Sequence, residues 1–152
     1  MNSALWSRET EAVVARAGWH PGRSVADRVA RWGSELATEG GFELFPAASS
    51  ALGEFGGLEF AASGAGVDFA RGNVNIDPSL AIGEEDRFRE LETRHGLKLF
   101  PLGEAYDGNL FLGIDPSGRV YLIDDELTLA GASIYRAIEN LISGRREDSS
   151  AK

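Results

Sequence analysis

An α+β domain with a largely antiparallel sheet is the fold class this sequence predicts, and three observations predict it. Two amphipathic helical segments open the chain, short apolar or alternating runs between turn residues fill its second half, and a helical stripe closes it. A further helical segment falls among the strands. At 152 residues, with 43% hydrophobic and 26% charged side chains, the chain suits a single globular domain.

The first helix is predicted from Ser7, a good N-cap, through Val13 and Val14 to Gly18, which suits the left-handed position past a helix end. Glu9 lies in its first turn and Arg16 near its end, as the helix dipole favours. A turn cluster, Gly18-Trp19-His20-Pro21-Gly22-Arg23, follows. Ser24 is expected to cap the second helix, with Asp27 completing a variant capping box. Val25, Val29, Trp32 and Leu36 then form one helical stripe, which Gly40-Gly41 stops. Pro46 suits the first turn of a short third helix that reaches Phe55 and turns Leu52 and Phe55 inward.

Gly56-Gly57 ends that helix, and Leu58-Glu59-Phe60 starts a strand by alternation. Residues 63–66 read as a turn and residues 67–76 as extended chain, with Asp77-Pro78 opening a loop. Residues 84–95 fit a fourth helix ending at Gly96, with Phe88 and Leu91 inward. Residues 109–114 and 119–123 flank Asp115-Pro116-Ser117-Gly118, whose Pro and Gly suit a hairpin turn. Leu127 and Leu129 add a short strand, and Ile134, Ile138, Leu141 and Ile142 stripe a last helix that stops at Gly144. Residues 1–144 are therefore expected to form one domain and residues 145–152 a solvated tail.

The charge balance narrows the function. Twenty-four acidic side chains face 15 basic ones, for a net charge of −9. Such a chain repels phosphate backbones and attracts basic partners, so direct nucleic-acid binding is not expected. The excess is concentrated in two segments. Residues 40–70 hold Glu43, Glu54, Glu59 and Asp68 with no base, and residues 101–135 hold Glu104, Asp107, Asp115, Asp124, Asp125 and Glu126 against Arg119 alone. A solvated acidic surface is the plain alternative. The absence of cysteine excludes disulfides and thiolate chemistry. No apolar run approaches the roughly 20 residues that span a bilayer, and Met1 to Ser7 lacks an export signal's apolar region, so a cytoplasmic protein without membrane contact is expected.

No residue constellation nominates a catalytic site, a cofactor or a metal. His20 lies in a turn and His95 just before a helix-ending glycine, outside any H-x-x-x-H or H-x-E spacing. Ser63-Gly64-Ala65-Gly66-Val67-Asp68 begins like a phosphate loop but lacks its third glycine and its Lys-Ser/Thr. Asp115 and Gly118 fit a turn better than a calcium loop. Asp124-Asp125-Glu126, directly after an apolar run, leaves three readings open: a cation or acid/base site, a solvated loop, or carboxylates offered to a partner's Arg and Lys side chains. Trp19 is either an exposed anchor or packed beneath its turn.

Several strings carry a resemblance. Ala17-Gly18-Trp19-His20-Pro21-Gly22-Arg23, followed by a helix holding Trp32, resembles the opening of SUKH-superfamily immunity proteins of the third subgroup. Leu52-Gly53-Glu54-Phe55-Gly56-Gly57-Leu58 is similar to that family's L-x-E-F-G-G-L signature, and Pro101-Leu102-Gly103-Glu104 to its P-L-G-E segment. Ile114-Asp115-Pro116-Ser117-Gly118-Arg119-Val120-Tyr121 resembles its I-D-x-x-G-R-V-Y hairpin, and Leu141-Ile142-Ser143-Gly144 its closing L-I-x-G. The resemblance implies a non-catalytic bacterial protein, encoded beside a polymorphic toxin and binding it directly, the toxin being a nuclease or nucleic-acid deaminase. The expected partner is thus a basic toxin domain. Its expected contacts are Glu54, Glu59, Asp68, Glu104, Asp107, Asp124, Asp125 and Glu126. A scaffold module of the same superfamily and a carboxylate-metal hydrolase using Glu104, Asp124 and Asp125 are the competing classes.

Overall fold

A computed structural model of the chain describes residues 5–147. Helix α1 (Arg8–Arg16) starts at Ser7, whose hydroxyl accepts from the Thr10 amide, and Gly18 follows its end at φ 112°. Helix α2 (Ala26–Gly40) buries Val29, Trp32 and Leu36 as its stripe requires and stops at a left-handed Gly41. Its start differs from the expectation. Val25 rather than Ser24 is the N-cap residue, and no side chain caps the helix. The Val25 amide donates to the Gly53 carbonyl at 2.9 Å, so a bond to the next helix sets the boundary in place of a local cap.

Helix α3 (Pro46–Phe55) has the expected bounds and buries Leu52 and Phe55. Helix α4 (Glu85–His95) buries Phe88 and Leu91 and ends at a left-handed Gly96. Helix α5 (Ile134–Ser143) is capped by the Ser133 hydroxyl, which accepts from the Arg136 amide. It clasps α1 through Glu139, which accepts from the Ser7 amide (2.8 Å), the Ser7 hydroxyl (3.1 Å) and the Thr10 hydroxyl (3.1 Å).

The sheet is an antiparallel meander whose strands lie side by side in chain order: β1 (Glu59–Phe60), β2 (Val74–Asn75), β3 (Phe100–Ala105), β4 (Leu110–Ile114), β5 (Val120–Ile123) and β6 (Leu127–Gly131). Two expectations are corrected. Of residues 67–76, only Val74 and Asn75 form strand; the amides of Val67, Asp68, Phe69 and Gly72 bond instead to the end of α5. Asp77 does open a loop, but it leads at once into a 3₁₀ turn (Pro78–Ala81) capped by the Asp77 side chain. Strand β3 gave no periodic signal because Pro101 and Gly103 interrupt it. The register shifts between those two residues, and a Cβ on Gly103 would overlap the Asn75 carbonyl of β2.

Two aromatic clusters hold the layers together. Phe42, Phe45, Phe88, Phe100 and Phe111 join the α2–α3 connection, α4 and the sheet. Trp6, Trp19, Phe55, Phe60 and Tyr135 join the start of the chain, α3, β1 and α5. The rings meet mostly edge to face, the arrangement their quadrupoles favour. Trp19 thus packs under its turn. Beyond Gly144, Arg145 and Arg146 are exposed but Glu147 is only 9% exposed. It accepts from the Ala132 amide (2.7 Å), Asn140 (3.0 Å) and Arg136 (2.8 Å), which ties residue 147 to α5 and to the loop before it. Residues 148–152 of that tail lie outside the described residues.

Candidate partner-binding surface

Register decides which loops share an end of the sheet. Val74 opposes Ala105, Ala105 opposes Leu110, Phe111 opposes Ile123, and Ile123 opposes Leu127. The loop entering β2, the β3–β4 turn and the β5–β6 turn therefore emerge together. Helix α5 returns to the same end, because the Gly72 amide donates to the Leu141 carbonyl at 2.9 Å. Of the eight expected contact residues, Asp68, Asp107, Asp124, Asp125 and Glu126 stand on these three loops, all exposed, and Glu104 lies half-buried one step inside β3. Glu59 is exposed on the edge strand β1.

Glu54 is elsewhere. It sits near the start of α5, half-buried, where its Oε2 accepts from the Trp19 indole N–H (3.0 Å) and its Oε1 from the Tyr135 hydroxyl. Both oxygens are engaged in joining the first turn, α3 and α5. Arg23 braces the same corner by donating to the carbonyls of Glu54 (2.8 Å) and Gly56 (2.9 Å). Desolvation, with Glu54 alongside, pushes the Tyr135 phenol up to about 12.

The β5–β6 turn does not gather its three carboxylates onto a point. Asp124 Oδ1 accepts from the Glu126 amide at 2.8 Å, Asp125 pairs with Arg87 at 3.1 Å, and Glu126 pairs with Arg94 at 3.6 Å. Both arginines rise from α4, which lies against the sheet where Phe88 meets Phe111. The hydrogen bond to Glu84 is the strongest influence on the Arg87 guanidinium and, with Asp125, lifts its pKa against the opposing effect of burial. Asp125 still leaves 96% of its side chain to solvent. Among the described residues no group of three or more His, Asp or Glu is arranged to hold a metal ion.

The β3–β4 turn is unusual. Tyr106 and Asp107 both adopt positive φ, 55° and 56°, which is costly for an aromatic residue. Bonds to the neighbouring loop hold them there: the Tyr106 amide donates to the Asn73 carbonyl (3.0 Å), its hydroxyl to the Ala70 carbonyl (2.8 Å), and the Asp107 amide to Asn73 Oδ1 (2.8 Å). No local pattern in the sequence signals this pinning, since it depends on residues more than 30 positions away. At the opposite end of the sheet, Asp115 is consumed in its own turn. Its Oδ1 accepts from Ser117 and Arg119 and its Oδ2 from the Tyr121 hydroxyl (2.9 Å). Desolvation and then Asp115 push the Tyr121 phenol up to about 12.

An open groove of about 810 Å³ runs along α2 between Arg28 and Glu39, and another of about 610 Å³ lies between the end of α4 and the Asp115 turn. None of the eight carboxylates lines either one.

The fold is an α+β meander with charged loops at one end of its sheet. The family model of the SUKH-3 immunity protein matches residues 6–144, and the chain belongs to that family. No curated protein and no solved structure matches it. No helix among the described residues is long and apolar enough to cross a membrane.

Proposed function

We propose that this chain binds and neutralises a cognate toxin domain, without catalysis of its own, by placing its acidic sheet end against a basic cleft that acts on nucleic acid. Family membership supports the toxin-neutralising part. The observation that carries the rest is the emergence of Asp68, Asp107 and Asp124 to Glu126 on three loops at one end of the sheet. A nuclease or deaminase needs positive potential around its substrate path, and projecting carboxylates on a rigid scaffold compete for it. Glu54, engaged within the fold, serves the architecture in this reading, and Glu59 lies at the margin.

The test is co-purification with the product of the adjacent toxin gene, followed by association rates at rising salt. The parent should form a tight complex whose association slows as salt rises. Asp124→Lys with Asp125→Lys should slow association by about tenfold or more and flatten the salt dependence. A double variant that associates like the parent would remove the β5–β6 turn from the contact.

A further inference from the structure

Four bulky apolar side chains of the described residues remain exposed: Leu5, Val67, Phe69 and Leu80. Two of them share one short loop. Val67 is 58% exposed and Phe69 38%, on either side of Asp68. The backbone that carries them is bound as closely as a strand. The Val67 amide donates to the Ser143 carbonyl (3.0 Å), and those of Asp68 and Phe69 donate to the Gly144 carbonyl (2.7 and 3.0 Å). Arg71 Nε donates to the Ile142 carbonyl at 2.8 Å. Together with Gly72 on Leu141, the loop satisfies the carbonyls that the end of α5 leaves without helical partners.

Two glycines permit this seat. Gly66 and Gly144 approach closely, and a Cβ on either would run into the Phe69 carbonyl. Folding an ordinary loop leaves its backbone loose at the surface, or else turns bulky apolar groups inward once the backbone is ordered. Here the backbone is immobilised while more than half of Val67 and over a third of Phe69 stay in water. The loop borders the Asp107 turn through Tyr106 on Ala70, and Arg145 and Arg146 follow on its α5 side. The Arg146 amide donates to Asp68 Oδ2 at 2.7 Å.

We infer that Val67 and Phe69 are the apolar anchor of the partner interface. The partner is a protein with an apolar socket bordered by Arg or Lys side chains that face Asp68 and Asp107. This rests on the binding role proposed above and divides its labour: the carboxylates steer the encounter, and the clamped apolar pair holds the complex. A preordered loop gives up little conformational freedom on binding, and buried aromatic anchors dominate interface energies. The anchor therefore governs dissociation, while the carboxylates govern association.

The experiment measures both rates against the cognate toxin domain for the parent, for Val67→Ser with Phe69→Ser, and for Leu80→Ser. Leu80 lies in the 3₁₀ turn past the far end of β2 and serves as an exposed apolar control. Thermal melting by circular dichroism verifies that each variant keeps its fold. The loop variant should dissociate about 100-fold faster, with association and salt dependence kept, and Leu80→Ser should match the parent. Dissociation within about threefold of the parent, or an equal loss with Leu80→Ser, overturns the anchor while leaving the binding role intact. A parent that forms no complex overturns both.

Discussion

The hydroxyl of Tyr135 donates to Oε1 of Glu54, 81 positions earlier in the chain, while the other oxygen of the same carboxylate takes the indole N–H of Trp19. One side chain thereby locks the turn after α1, the end of α3 and the beginning of α5. Three segments distant in sequence acquire a shared hub, and the E-F-G-G stretch that contains it acts as a joint of the fold.

Removing that hub should be costly. Glu54→Ala leaves two half-buried donors without their acceptor and should lower stability by about 1–3 kcal/mol. Glu54→Gln keeps one acceptor and should recover part of the loss. Chemical denaturation at neutral pH reads both, and equal, negligible effects would show the hub to be ornamental.

Alkali should dissolve the same corner and the Asp115 turn. Tyr121 and Tyr135 ionise at about 12 in the folded protein against about 10 in the unfolded chain. Both folded values are raised, so their stabilising contribution is complete below about pH 10 and is lost as pH climbs toward 12. Stability measured across this window should fall, and Tyr121→Phe with Tyr135→Phe should flatten the fall while starting lower.

Acid should loosen the C-terminal strap. Burial is the largest single influence on Glu147 and raises its pKa, but the bonds from Arg136, Asn140 and the Ala132 amide together outweigh it and leave the pKa lowered. Its contribution is therefore present above the usual glutamate range and lost as pH falls through the lowered value. Glu147→Gln should reduce the acid sensitivity of the melting temperature, and deleting residues from 147 onward should cost about 1–3 kcal/mol by orphaning the Ala132 amide.

Under the binding mode proposed above, freeing the β5–β6 turn from α4 should sharpen its pull on a basic partner. Arg87→Gln with Arg94→Gln removes the cations facing Asp125 and Glu126. Because these pairs are largely solvated, stability should change by less than about 1 kcal/mol. Association with the toxin domain should accelerate at low salt, and stopped-flow rates would reveal it. Slower association would mean that the arginines themselves meet the partner.

Crowding the seat beneath Val67 and Phe69 gives a separate handle. Gly144→Ala forces a methyl against the Phe69 carbonyl and should cost about 1–3 kcal/mol. Hydrogen exchange should speed up first at the amides of residues 67–69, with the β4–β5 amides following only at global unfolding.

How much of this was legible beforehand varies with the range of the interaction involved. Helices α3, α4 and α5 follow from stripes such as Ile134, Ile138, Leu141 and Ile142 and from glycines at their ends, all local signals. The Asp115 turn is equally local. Strand β3 escaped because Pro101 and Gly103 spoil its alternation, and they are tolerated only because a bulge is accommodated against β2. The Ser24 cap failed because the Val25 amide donates to the Gly53 carbonyl and sets the helix start there instead. For the site, the acidic residues were readable as composition, but their convergence depends on strand register. The loop carrying Val67 and Phe69 reads only as extended chain, because its hydrogen-bond partner is the end of a helix far along the chain.

The clasp of α1 on α5 has a consequence for the order of assembly. Each strand of the meander pairs with the next strand in the chain, so the sheet closes mainly through modest loops, which favours rapid folding. The bond between the Ser7 amide and Glu139 spans 132 positions, the longest closure in the molecule's hydrogen-bond network among the described residues. It gains nothing until α5 is already seated on β6. Docking of the first helix should therefore follow formation of the sheet. The indole of Trp6, which donates to the Tyr135 carbonyl at 3.0 Å, would report that docking by its fluorescence.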